Sequence, residues 1–474
     1  MIQEQRGRGT LLLDDKEVLA GEFEVSHDLN QSNGLVLIFE AASNAAVTFE
    51  TRMASGERDV LERRLALRGE TDDGILVRVN RLLMANRDLS QEVGQPMQTV
   101  LRLLPCTFVH IGAPLDEASL FRFSCPNLLF DGFVMTEQAD GSHRRDTVSV
   151  DASRDGRRLS FRLKQLPDYK EGAETVQQTT RSRWTATLEV QTDDGSTLEV
   201  DEASSLADDF LLLLSFALSR RATWVSLEAS DDSGSFQRIR SGTATNLKSF
   251  PGSVMRGGRL TGGASGLRQP LSEFMGSALP AYWGLERHEQ ERLQEAIECM
   301  CESIERFFSP ATITLVGRAF ETLCHRFLSK AEQAYLSRDS EQDRNLKATL
   351  HADLDAFASQ WATKEKIMAE EWSERVDGHM SNILRRPFKL QLQSLLDRWL
   401  LQTRNKYDST WPPQFVDARN CAAHYSSVGQ KEYNAWVKGI TLLSQVILKI
   451  LGYSGPYGSF YRDGKSESKW SAMK

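Results

Sequence analysis

An α+β multidomain chain, β-rich at its N-terminus and all-helical at its C-terminus, is what the sequence predicts. Two observations carry this expectation. Up to about residue 200, apolar residues alternate with polar ones in short bursts; beyond about residue 275 they recur at intervals of three and four. A glycine-rich stretch with Gly252, Gly257, Gly258, Gly262, Gly263 and Gly266 separates the two regimes. At 474 residues the chain is too long for one ordinary core. Its 40% apolar and 26% charged residues are globular values, which exclude a disordered chain or a coiled-coil rod.

In chain order, Gly34–Phe39, Ile75–Val79, Leu159–Leu163 and Trp184–Val190 read as strands. Asp193-Asp194-Gly195-Ser196 supplies turn chemistry, so Trp184–Val190 and Thr197–Val200 are expected to form a hairpin. The spacing suggests a sandwich or barrel. Asp208 and Asp209 open an expected short helix through Phe210–Leu218, followed by a strand at Trp224–Leu227. These elements give a β-rich sensor or regulatory domain over residues 1–250 and a Gly-rich linker over 251–274. The linker lacks the Gly-Lys-Ser/Thr ending of a phosphate loop.

The helical domain is expected over residues 275–455 as a bundle of four to six helices. Leu293, Ala296, Ile297, Met300, Ile304 and Phe307 mark one inward face, and Leu315, Ala319, Leu323, Cys324 and Phe327 a second after the Ser309-Pro310 break. A charged stretch runs over about 339–377. Leu384, Phe388, Leu392, Leu395, Leu396 and Trp399 mark a helix kinked or started by Pro387. Trp411-Pro412-Pro413 is read as a break before a short segment, Phe415–Tyr425. The last helix is expected over Glu432–Leu451, with Trp436, Ile440, Leu443, Val446 and Ile450 inward. Residues 456–474, with Tyr457, Phe460, Tyr461, Arg462 and Lys465 among glycines, read as a mobile tail.

Composition narrows the chemistry. The net charge of −8 lies wholly in residues 1–270, because residues 271–474 balance, so the N-terminal part is a poor candidate for a broad phosphate-binding surface. Six cysteines show no metal-ligand spacing or disulfide framework, which fits a reducing compartment and points to no cofactor or metal. No apolar run reaches membrane-spanning length, and Met1–Arg6 lacks a signal-peptide core, so a cytoplasmic protein is expected. His288-Glu289-Gln290-Glu291 lacks the second histidine of a zinc helix, and there is no Gly-x-Ser-x-Gly elbow. His325, beside Cys324 on an apolar face, reads as a core histidine, and Asp353 and Asp355 as a solvated charged face.

The informative peptide is Asp417-Ala418-Arg419-Asn420-Cys421-Ala422-Ala423-His424-Tyr425. Arginine followed loosely by histidine recurs at Arg318/His325 and Arg344/His351; an Asn directly after the Arg at fixed spacing does not. The peptide resembles the Arg-x(4–6)-His signature of the HEPN superfamily in its Arg-Asn-x-x-x-His form, over about residues 275–455. Its chemistry is coherent on its own terms. Histidine can move a proton near neutral pH, arginine can hold a phosphate as charge develops on it, and an asparagine amide can orient either. At a spacing of five, near a helix start, Arg419 and His424 are expected on roughly adjacent faces with Asn420 beside the arginine. Glu321 and Arg318 are weaker candidates on a helix expected to lie near the motif.

The resemblance implies a homodimer through the helical domain, in which two motifs meet as one metal-independent ribonuclease centre carried by Arg419, Asn420 and His424. The layout also resembles ApeA-type anti-phage proteins. That likeness implies RNA, such as tRNA, as substrate and a phage-derived or small-molecule trigger at the N-terminal domain. A non-catalytic dimerisation protein whose β domain binds a ligand or viral protein stays open beside it.

Overall fold

The computed structural model describes residues 2–29, 34–42, 65–90, 98–106, 108–113, 115–130, 134–137, 143–179, 181–231, 234–240, 254–255, 270–335, 341–365, 385–400, 408–425, 428–457 and 471–472. The chain forms two compact units that change over between Pro280 and Ala281, apart from a short excursion at 252–254.

In the N-terminal unit the first strands are β1 (Ile2–Leu13), β2 (Lys16–Asp28), β3 (Leu35–Ala42), β4 (Leu65–Thr71), β5 (Leu76–Ser90) and β6 (Gln98–Pro105). They pair in the order β5-β4-β1-β2-β3-β6, and β6 returns to β5, closing an antiparallel barrel. Asp14 and Asp15 both take positive φ in the β1–β2 turn, the backbone hand a two-residue hairpin needs. Leu11, Phe23, Leu37, Phe39, Leu67, Val79 and Leu103 fill the interior. At Gly21 a Cβ would lie 2.1 Å from the Glu40 carbonyl oxygen and 2.7 Å from the Phe39 ring, so only glycine lets β3 approach there.

The remaining strands are β7 (Phe108–Ile111), β8 (Glu117–Ala118), β9 (Leu120–Pro126), β10 (Val134–Glu137), β11 (His143–Arg154), β12 (Arg157–Gln165), β13 (Trp184–Thr192), β14 (Leu198–Glu199), β15 (Ser226–Asp231) and β16 (Gly234–Arg240). Through β7, which pairs with β5, the barrel continues into β7-β16-β15-β9-β13-β12-β11-β10. Helix α1 (Tyr169–Gln178) joins β12 to β13, and α2 (Val200–Leu218) buries Phe210 in a stacked pair with Phe161, 5.1 Å apart.

Three expectations for this unit are corrected. The hairpin after Trp184–Val190 does not form. Its turn is present, with Ser196 N–H donating to Asp194 at 3.0 Å, but Leu198–Glu199 leaves β13 to pair with β8. Helix α2 starts at Val200 rather than Asp208. Asp208 is mid-helix, accepting from Trp224 Nε1 at 2.9 Å and from Arg240 at 3.0 Å, and Asp209 faces Arg154 at 3.6 Å. The helical domain also begins later than residue 275, because most of α3 (Pro270–Trp283) belongs to the first unit, where Phe274 meets Phe216 at 5.7 Å. Within the expected 251–274 linker, Met255 is buried and donates its N–H to the Ala217 carbonyl at 2.7 Å. The six linker glycines lie outside the described residues.

The C-terminal unit is helical: α4 (Arg287–Glu305), α5 (Pro310–Phe327), α6 (Lys330–Gln333), α7 (Glu341–Glu365), α8 (Phe388–Leu400), α9 (Trp411–Tyr425) and α10 (Gln430–Ile450), with a short ladder of β17 (Pro456–Tyr457) and β18 (Ser471–Ala472). Helices α4, α5, α8, α9 and α10 share a core. Pro310 opens α5 where no backbone donor is needed, and Ser309 N–H donates to Thr312 Oγ1 at 3.1 Å. Gly439 of α10 lets Phe415 and Val316 approach where a Cβ would stand 3.1 Å from each. Buried Trp436 donates from Nε1 to Ser303 Oγ at 2.7 Å, and Ser303 donates in turn to the Thr312 carbonyl at 2.9 Å.

Several side chains in this unit depart from the sequence reading. Phe307 lies beyond the end of α4 and is 76% exposed. His325 is exposed in the last turn of α5, because Phe320, Leu323 and Cys324 take the inward positions and His325 sits a further 100° around. The expected tail starts as structure: Tyr457 is buried and accepts from Gln445 Nε2 at 2.7 Å. Leu384 and residues 366–384, like Phe460, Tyr461, Arg462 and Lys465, lie outside the described residues. Among the described residues no helix is long and apolar enough to cross a membrane.

Two outcomes follow from these interiors. Ser303→Ala would leave the buried Trp436 N–H without an acceptor and is expected to cost about 1–3 kcal/mol, read from urea unfolding. His27 of β2 is 1% exposed, meets the Trp184 ring edge-on at 6.0 Å, and is pushed by burial, against Asp28, down to about 4. Between about pH 6.5 and 4 the unfolded chain thus takes up a proton that the folded unit excludes. Stability is full above that window and falls as pH drops through it, by at most on the order of 3 kcal/mol. His27→Phe should flatten the acid limb of the midpoint-versus-pH curve.

Candidate functional site

The Arg-Asn-x-x-x-His peptide lies on α9, but in its final turns rather than near its start. Pro412 and Pro413 do not break the chain before the helix. They form its first turn, where a missing N–H costs nothing. Trp411, Phe415, Ala418 and Ala422 recur on the buried side of α9. Trp411 stacks on Phe415 at 4.8 Å, and Phe320 of α5 meets both rings edge-on, which fixes the roll of α9.

That roll decides where the three candidate side chains go. At 100° per residue, Arg419 and His424 stand about 140° apart, while Asn420 and His424, four apart, share a face. Arg419 is half-buried and turned toward α5; Asn420 and His424 are exposed. The expectation that Arg419 and His424 occupy adjacent faces with Asn420 beside the arginine is therefore corrected: Asn420 goes with His424, and one copy of the chain does not bring the Arg and the His together.

Arg419 is held tightly. Its Nη2 donates to Glu321 Oε1 at 2.9 Å, and its guanidinium carbon stands 5.3 Å from the centre of the Phe388 ring. Its Cδ and Nε lie 2.8 Å from where a Cβ on Gly317 would be, so the side chain crosses α5 through a slot that exists only because residue 317 is glycine. Gly317 and Glu321 are one turn apart on one face of α5, forming floor and anchor. Of the weaker candidates, Glu321 thus joins the motif. Arg318 does not: its Nε and Nη2 donate to Glu295 of α4 at 3.1 and 2.9 Å.

Gly317 was not singled out in the sequence, and Phe388 was read only as one of the apolar positions of its helix. A glycine inside a helical pattern is the one trace that pointed to a close approach, and it names no partner. Cys421 is partly exposed; Cys299, Cys301 and Cys324 are buried, and all are free thiols. Burial pushes the Cys324 thiol far up. Asp353 and Asp355 are exposed, and among the described residues no group of three or more His, Cys, Asp or Glu side chains is placed to hold a metal ion. Chemically, the arrangement offers a fixed guanidinium on the flank of a helix end and a solvent-facing amide and imidazole around the corner.

Compared with family models, with curated proteins and with solved structures, the chain matches none.

The Arg419–Glu321 pair is partly solvent-exposed, so breaking it is expected to cost little stability, up to about 1 kcal/mol. Glu321→Gln should leave the unfolding midpoint nearly unchanged while loosening the guanidinium, read as faster exchange of the Arg419 Nε–H in NMR. Gly317→Ala should displace the Arg419 side chain and alter the same signal.

Proposed function

We propose that the protein is a metal-independent endoribonuclease of the HEPN type, acting in anti-phage or abortive-infection defence, with Arg419, Asn420 and His424 as its catalytic residues. The observation that supports this reading best is the division of labour on α9: a positioned guanidinium, and an exposed imidazole with an amide on the same face. In the proposed reaction His424 moves the proton of the RNA 2′-hydroxyl or of the leaving oxygen. Arg419 holds the phosphate as negative charge builds on it, and Asn420 orients the phosphate or the imidazole. Because Arg419 and His424 of one copy diverge by about 140°, the reading requires a homodimer in which the Arg of one helical unit serves the His of the other. The N-terminal unit would then sense a phage-derived or small-molecule trigger, and RNA such as tRNA would be the target in the cytoplasm.

A second reading is favoured by one observation. Arg419 is already engaged by Glu321, Phe388 and the Gly317 slot, as a purely structural arginine would be. On this reading the helical unit only dimerises, and the β-rich unit binds a ligand or viral protein.

Purified protein incubated with total RNA, with and without EDTA and with extract of phage-infected cells, separates the two. The nuclease reading expects cleavage that survives chelation and falls at least a hundredfold in Arg419→Ala and in His424→Ala. Silence of the wild type in every condition, or variants that cut as well as it does, would leave the interaction protein.

A further inference from the structure

Four strands of the N-terminal unit, β4, β5, β7 and β16, run side by side. Their register sets Arg68 opposite Arg78, Arg78 opposite His110, and His110 opposite Arg238. Directly opposed residues project from one face of a sheet. The flanking Leu67, Val77, Val79, Val109, Ile111 and Ile239 belong to the barrel core, so the row lies on the outside. At about 4.8 Å per strand it spans about 14 Å.

Among the described residues, two of its three arginines have no acidic partner. Opposed like charges destabilise a sheet, yet Arg68 and Arg78 are both exposed and, among the described residues, neither has a carboxylate within ion-pairing distance. Glu70, the acidic neighbour on β4, has its Oε1 at the Gly74 turn. Arg238 alone is paired, donating to Asp201 at 2.7 Å with its guanidinium 4.9 Å above the Phe108 ring. His110 sits between the Phe108 and Phe236 rings, 6.1 and 5.6 Å away. Burial, with Arg238 and Arg78 and against Asp201, lowers it to about 4, so it is a neutral ring at pH 7.

Apolar surface accompanies the charge. Leu76, two residues before Arg78 on the same face of β5, is 40% exposed. Two guanidinium forks beside the partly exposed His110 ring and the aliphatic Leu76 suit a ligand that alternates phosphates with flat bases. An acidic peptide offers the charge without the faces.

We propose that the exposed pair Arg68–Arg78, flanked by His110 and Leu76, binds a single-stranded nucleic acid, with Arg68 and Arg78 on its phosphates and His110 and Leu76 against its bases. The site is narrow, which reconciles it with the acidity of residues 1–270. It lies in the N-terminal unit, uses none of the α9 residues and does not depend on the nuclease reading.

The test is fluorescence anisotropy of a labelled 12-nucleotide 2′-O-methyl RNA, which lacks the hydroxyl needed for self-cleavage, titrated with the full-length protein from 50 to 200 mM salt. Arg68→Ser/Arg78→Ser is expected to weaken binding at least tenfold and to flatten the log–log salt dependence by about 1.4, two phosphates at about 0.7 each. Relief of the like-charge pair should leave its melting temperature equal to or above that of the wild type, which excludes misfolding as the cause. Arg157→Ser, an exposed arginine of β12, should bind within twofold of the wild type. The proposal is overturned if the wild type does not bind at 50 mM salt, if the Arg68/Arg78 variant binds as the wild type does, or if poly-glutamate of equal charge displaces the probe as well as unlabelled RNA does.

Discussion

The N-terminal unit depends on one strand that pairs in two directions. β5 is 15 residues long, and its first half is hydrogen-bonded between β4 and β7 while its second half pairs with β6. The β6 pairing closes the barrel and removes its free edges; the β7 pairing carries the sheet onward into eight further strands. A shorter β5 would leave either an open barrel or a detached second sheet. Register shifts on β5, opposite β4 and opposite β6, are where the strand bends from one partner to the other.

Closure also explains where polar chemistry can sit. Inward positions of the six strands are filled with leucine, valine and phenylalanine, so any ligand must meet the outer face or the rims. On that outer face the register alone determines which side chains become neighbours. Where α2 covers the continuing sheet, the charges are paired, as with Arg240 and Asp208; where cover ends, Arg68 and Arg78 stand open.

The helical unit follows the same logic with small residues. Gly439 lets α9 and α5 come close to α10, and Gly317 admits the aliphatic part of Arg419 against α5. An aromatic triad of Trp411, Phe415 and Phe320 fixes the roll of α9, and the roll separates the fates of three neighbouring polar residues. The arrangement of side chains at this helix end therefore turns on helix rotation more than on motif content.

Much of the architecture was legible in the residues themselves. Strand alternation at Leu159–Leu163, the Ser309-Pro310 helix start and the inward Trp436, Ile440, Leu443 and Val446 follow from local periods and caps, which depend on neighbours a few positions away. The motif peptide and the nearby Glu321 were visible for the same reason. What the sequence could not decide is what tertiary packing decides: that Leu198–Glu199 pairs with β8 rather than β13, that Arg419 turns from His424 into the Gly317 slot, and that Arg68, Arg78, His110 and Arg238 form one row across four strands. Those juxtapositions join residues up to 170 positions apart, and no local periodicity encodes a partner at that distance.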